Sequence, residues 1–189
     1  MHDIPDIGSD ANWGFMLGQF KWVYAFLSPL GGYIADRYSK RFTICASDGE
    51  NFYLFSGAAL SLNAMGKVER TYLSDAFVFN PKDGWKKLPA MPRPCVAAPS
   101  PAIYNKGSIR LFSGDDGKLV DFEPKQSHPG FPKSVMIFDP NSNLWRKDLP
   151  FHLSRATAPL TSWQGLNVLT SGEVRPGIRT PEIWSMRQR

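Results

Sequence analysis

Three apolar segments of this chain end in the same dipeptide at nearly the same interval. NFYLFSG at 51–57 recurs as SIRLFSG at 108–114 and as LNVLTSG at 166–172. The closing glycines, Gly57, Gly114 and Gly172, stand 57 and 58 residues apart. A second landmark keeps the period. FVFNPKDGWKKLPAMP (77–92) matches MIFDPNSNLWRKDLPF (136–151), and Trp85 and Trp145 are 60 residues apart. A repeat of this size marks an architecture in which each unit leaves a hydrophobic face for its neighbour to cover. Each unit reads as a strand ending in Ser-Gly, a long polar connection, a strand ending in an aromatic, an Asn/Asp-Pro turn, and a Trp strand with a Pro-rich exit. Gly and Pro number 16 each in 189 residues, which fits a turn-rich fold, and 13% aromatic residues argue against disorder.

These units resemble kelch repeats, in which each repeat of about 50 residues forms a four-stranded propeller blade. The resemblance implies a mainly β fold, a partial kelch propeller of about two and a half blades over residues 47–189. The aromatic and Trp positions would pack between blades, and the glycines would allow tight turns or close backbone approach. An immunoglobulin-type sandwich also has short strands but does not predict this period. The connections SGAALSLNAMGKVERTYLSDAF and SGDDGKLVDFEPKQSHPGFPKSVMIF exceed a minimal hairpin, and long loops on one propeller face build a binding mouth. With VAAPSPA and SGEVRPGIRT, they make residues 47–184 similar to the kelch mutarotases of N-acetylneuraminate, the sialic acid epimerases.

SGEVRPGIRT, residues 171–180, places Glu173 six residues before Arg179, with Arg175 and a Pro-Gly turn between them. On the residues alone, Glu173 and Arg179 are equally well read as a surface pair across a turn, which contributes little. The family resemblance implies that Glu173 is the general acid/base and Arg179 the group that holds the sugar carboxylate. A proton must leave the anomeric hydroxyl and one must reach the ring oxygen, which a carboxyl group can arrange. A guanidinium grips a carboxylate bidentately. Arg93 and Arg155, which leave the Trp strands at comparable places, and Arg175 are further substrate-binding candidates.

Ahead of the repeats, residues 13–35, WGFMLGQFKWVYAFLSPLGGYIA, contain a single charge, Lys21. Their length suits one membrane-spanning hydrophobic α-helix. GGYIADRYSKR at 31–41 resembles the cytoplasmic loop between the second and third helices of major facilitator superfamily transporters, with Gly32, Asp36, Arg37, Lys40 and Arg41 matching and Ser39 departing from the usual Gly. The resemblance, over about residues 12–44, implies a transporter fragment, with Asp36 and Arg37 in a gating loop. The basic flank predicts a membrane-associated chain with its β part on the cytoplasmic side. No third helix follows and one helix builds no substrate path, so transport by this chain alone is excluded. The expected division is 1–44, transporter-like, and 47–189, propeller blades, joined by fusion or by truncation of a longer gene.

The net charge is +5, but no basic cluster is interleaved with aromatics, so nucleic acid is not an expected partner. Cys45 and Cys95 form no zinc spacing, and His2, His128 and His152 are scattered. No cofactor or metal is expected. Three readings remain open. The first is a partial mutarotase for sialic acid or a related sugar acid, completed by self-association. The second is a non-catalytic kelch module tethered to a membrane. The third is an inactive truncated relic.

Overall fold

The computed structural model describes residues 44–187, apart from the side chains of Lys147 and Asp148. The strands fall into consecutive antiparallel meanders. The first sheet runs in chain order through β1 (Ile44–Ser47), β2 (Phe52–Leu62), β3 (Val68–Asn80) and β4 (Gly84–Lys87). The second repeats it with β5 (Ile103–Asn105), β6 (Ser108–Phe112), β7 (Ser134–Asp139) and β8 (Leu144–Pro150). The third has β9 (Leu160–Trp163), β10 (Leu166–Thr170) and β13 (Ile183–Arg187), with a separate hairpin of β11 (Glu173–Arg175) and β12 (Ile178–Arg179) inserted between β10 and β13. A 3-10 turn at Lys125–Ser127 is the one helical element among the described residues.

The second sheet is buried on both faces, which explains the nearly unbroken apolar runs of β6 and β7. Ile109, Leu111, Met136 and Phe138 turn toward the first sheet and cluster with Phe55, Tyr53 and Ile44. Phe112, Val135 and Ile137 turn the other way and meet Leu160, Leu169 and Phe151. Alternation along a strand sends neighbours to opposite faces, so one sheet supplies two cores. Full burial of each such side chain stabilises by roughly 1.5–3 kcal/mol. Trp145 joins the first of these cores. Its ring centroid lies 5.7 Å from Phe55 and 5.0 Å from Phe138, and its indole N–H donates to the Pro89 carbonyl at 3.0 Å. Trp85, its counterpart one repeat earlier, is 55% exposed and packs on Phe79 of its own sheet.

The repeated motifs have repeated geometry. The Asn80 side chain accepts the Lys82 N–H, and the Asp139 side chain accepts the Asn141 N–H, so both Asn/Asp-Pro turns are closed by the same side-chain bond. At each Ser-Gly the serine itself enters the left-handed region, with φ of 58° at Ser56, 51° at Ser113 and 53° at Ser171. The sequence reading places the tight turn or close approach at the glycine. A glycine is needed next because the backbone stays left-handed and crowds a neighbour: a Cβ on Gly172 would stand 2.6 Å from the Ala158 Cβ, and one on Gly114 2.7 Å from the Ala98 Cβ.

The first strand begins at Ile44, which is buried, so the sheet takes in residues just ahead of Ser47. The transporter-like segment 12–44, with Gly32, Asp36, Arg37, Lys40 and Arg41 and the apolar stretch 13–35, lies outside the described residues apart from Ile44. The expectation of membrane association requires correction. Among the described residues no helix is long and apolar enough to cross a membrane. The apolar runs there are short, end at Gly or Pro, and are taken up by paired strands.

Candidate functional site

The β11–β12 hairpin carries the sharpest motif in the sequence. Glu173 stands directly opposite Arg179 in the antiparallel register, and Arg175 opposite Ile178, with an irregularity between Glu173 and Arg175. Directly opposed residues share a face of the ribbon, so the acid and the guanidinium project together. Both ends of the Glu173 backbone are tied down, since it exchanges two 2.8 Å hydrogen bonds with Ala156. Carboxylate oxygen Oε1 accepts the Gly177 N–H across the turn, and Oε2 has no protein partner among the described residues. Arg179 is exposed and reaches Thr157 Oγ1 at 3.3 Å, and among the described residues no ion pair joins it to Glu173. The hairpin thus presents a half-buried carboxyl group with one free oxygen beside a guanidinium with free donors.

One repeat earlier, Asp115 holds the equivalent place. It exchanges two 2.8 Å backbone bonds with Val96, as Glu173 does with Ala156. Its carboxylate accepts the Tyr72 hydroxyl at 3.1 Å and the Gly117 N–H at 3.0 Å. Burial, above all, pushes the Tyr72 phenol up, with the Asp115 charge adding to it and Arg70 opposing it.

A cavity of about 350 Å³ is lined by Arg70 and Tyr72 from β3, Asp115, Lys125 and His128 from the β6–β7 connection, and Gly177 from the β11–β12 turn. The long β2–β3 ribbon, the β6–β7 connection and the β11–β12 turn therefore meet at one mouth, beside the Glu173 hairpin. Motif reading missed Arg70, Tyr72, Asp115, Lys125 and His128. The unusual length of the two stretches was the signal, although the first is mostly strand, with β2 running on to Leu62 and β3 starting at Val68.

The remaining arginines are built into the frame. Arg93 donates to the carbonyls of Pro94 and Ser113 at 3.1 Å and to Ser134 Oγ at 2.9 Å. Arg155 is 3% exposed and donates to the Ser154 carbonyl at 2.9 Å and to Glu182 Oε2 at 2.6 Å. Hydrogen bonds from Trp184 and from Arg155 hold the Glu182 carboxyl below its ordinary range. Arg175 donates to the Gln126 carbonyl at 2.9 Å, tying the hairpin to the β6–β7 connection. Arg93 and Arg155 are not repeat equivalents. The Ser113 hydroxyl receives the Arg155 N–H, and the Ser56 hydroxyl receives that of Cys95, so Cys95 is the counterpart of Arg155. Neither Cys45 nor Cys95 forms a disulfide, and among the described residues no three His, Cys, Asp or Glu side chains converge as metal ligands.

No family model matches the chain. An N-acetylneuraminate epimerase of Haemophilus influenzae is 30% identical over 162 residues, covering 72% of this chain and 42% of that protein. One of Yersinia pestis is 34% identical over 158 residues, covering 70% and 40%. One of Yersinia enterocolitica is 23% identical over 158 residues, with the same coverage. This chain therefore spans about two-fifths of the length of the curated relatives it matches. These names give the transporter-like reading of 12–44 no support. A solved structure titled "Structure of YjhT" superposes with a TM-score of 0.56 at 20% identity, over 77% of this chain and 48% of that one. At that identity the likeness speaks for the fold alone. The chain is thus a mainly β, propeller-like polypeptide that resembles N-acetylneuraminate epimerases over most of its own length.

Proposed function

We propose that residues 47–189 form part of a kelch-type sialic acid mutarotase, with the first two sheets as blades and the third as an incomplete one. In this reading Glu173 is the proton shuttle and Arg179 holds the substrate carboxylate. The observation that carries it is the direct opposition of Glu173 and Arg179 on a hairpin at the mouth of a three-sheet cavity. Similarity to curated N-acetylneuraminate epimerases supplies the substrate class.

The chemistry asks little beyond these groups. The free oxygen of the Glu173 carboxylate takes the proton of the anomeric hydroxyl. The bond between the anomeric carbon and the ring oxygen breaks, the carbon becomes a ketone, and the ring oxygen takes up the proton that the Glu173 carboxyl has received. After rotation, the same hydroxyl adds to the other face of the ketone and the protons return, giving the second anomer. A guanidinium on the carboxylate holds the reacting carbon in place while the ring is open. Arg93, Arg155 and Arg175 belong to this reading as supports of the mouth, since each holds a carbonyl of the segments that frame it.

The test is a titration of isotope-labelled protein with N-acetylneuraminate, followed by backbone amide shifts. Saturable changes at Gly177, Arg179 and Thr157, lost in Arg179→Gln, are expected. Changes that spare the hairpin would refute this placement of the site.

A further inference from the structure

A second cavity, of about 290 Å³, lies between the second and third sheets. Its charged and titratable wall is His128, Lys133, His152, Arg155 and Arg175, and no carboxylate lines it. Lys133 and Arg175 bring positive charge to a wall without an acid, which favours a bound anion. The donor accounting shows what is left to give. Arg155 keeps both terminal nitrogens occupied, one on the Ser154 carbonyl and one on Glu182, whose carboxylate balances its charge. Arg175 places Nη1 on the Gln126 carbonyl, and its Nη2 has no protein acceptor among the described residues. His128 is 6% exposed, and its Nδ1 accepts the Gly130 N–H at 3.0 Å. That bond puts the ring proton on Nε2, a donor with no protein acceptor among the described residues. Lys133 is exposed, and among the described residues no acid pairs with it.

We infer that this cavity is a small-oxyanion site. Its donors are the Lys133 ammonium, the His128 Nε2–H and the free edge of Arg175. The volume lies near the lower end for ligand sites and suits a carboxylate or phosphate group rather than a large ligand. Neither Glu173 nor Arg179 lines it, although Arg175 of their hairpin and His128 of the first cavity do. The shared chemistry is the oxyanion. In its carboxylate form, with a sugar acid as ligand, the inference rests on the mutarotase reading; with inorganic phosphate it does not.

The experiment is calorimetric titration of the full chain with inorganic phosphate at fixed ionic strength, for the natural sequence, Lys133→Gln and Glu173→Gln. One saturable site is expected, weakened about tenfold by Lys133→Gln, in line with the loss of one charge-assisted contact. Lys133 is exposed, so the variant retains the fold. Binding by Glu173→Gln is expected to match the natural sequence. N-acetylneuraminate is then added as a competitor. Competition assigns the cavity to a sugar-acid carboxylate; phosphate binding without competition assigns it to a free inorganic anion and counts against the carboxylate form alone. Absence of saturable phosphate binding, or binding that Lys133→Gln leaves unchanged, overturns the site. Loss of anomer exchange in Glu173→Gln with phosphate binding intact keeps the two questions apart.

Discussion

The Ser113 hydroxyl accepts the backbone N–H of Arg155 at 2.9 Å, and one repeat earlier the Ser56 hydroxyl accepts that of Cys95 at the same distance. The Ser-Gly motif therefore pins the second strand of one sheet to the chain leading into the next. Ser113 is wholly buried, so Ser113→Ala leaves the Arg155 amide unsatisfied. A loss of about 1–3 kcal/mol is expected. Urea denaturation should show a lower midpoint with an unchanged slope. An unchanged midpoint would show that the bond contributes nothing.

The two repeat tryptophans should differ. Trp145 packs on Phe55 and Phe138 and bonds to Pro89, whereas Trp85 is largely exposed. Trp145→Ala is expected to cost about 2–3 kcal/mol, and Trp85→Ala less than about 1 kcal/mol. Equal losses by thermal unfolding would contradict the inter-sheet role of Trp145.

Asp48 closes the β1–β2 turn. Burial works to raise its pKa, but hydrogen bonds from the Asn51 side chain and backbone, the Tyr53 hydroxyl and the Glu50 N–H outweigh it, and the value falls from 3.8 to about 2. A folded-state pKa below the unfolded one gives stability that is complete above the unfolded pKa and lost as pH falls through the folded one. Asp48→Asn should therefore be less stable than the natural sequence at pH 6. The gap should close between 3.8 and about 2. A constant gap across that window would rule out the carboxylate as its source.

Period and motif made much of this legible. The Ser-Gly dipeptides, the Asn/Asp-Pro turns and the Trp strands located the sheets, because these positions repeat the same backbone geometry, although β2 runs on through Ser56-Gly57 to Leu62. The Glu173–Arg179 pairing was foreseeable from a Pro-Gly turn placed between them. Tyr72, Lys125 and His128 were not, because the β2–β3 ribbon and the β6–β7 connection that carry them have no period and differ in each repeat. They meet only when three sheets are stacked. The equivalence of Cys95 and Arg155 was hidden for another reason: it rests on backbone amides, which leave side-chain identity free.

Arg179 is exposed and contributes little to packing, so Arg179→Gln should retain the melting temperature. It is expected to raise KM for N-acetylneuraminate by about 10- to 100-fold with a smaller change in kcat, as loss of a charge-assisted carboxylate contact implies. A change confined to kcat would place the carboxylate elsewhere.

The central claim is that Glu173 moves the proton that opens the sugar ring. Saturation-transfer NMR of the exchange between the α and β anomers of N-acetylneuraminate tests it most directly, with the natural sequence and Glu173→Gln compared at equal bound fraction. The account predicts acceleration by the natural sequence and a loss of about 100-fold or more in the variant. Exchange at the same rate with both proteins, or at the rate of the free sugar with either, would contradict it.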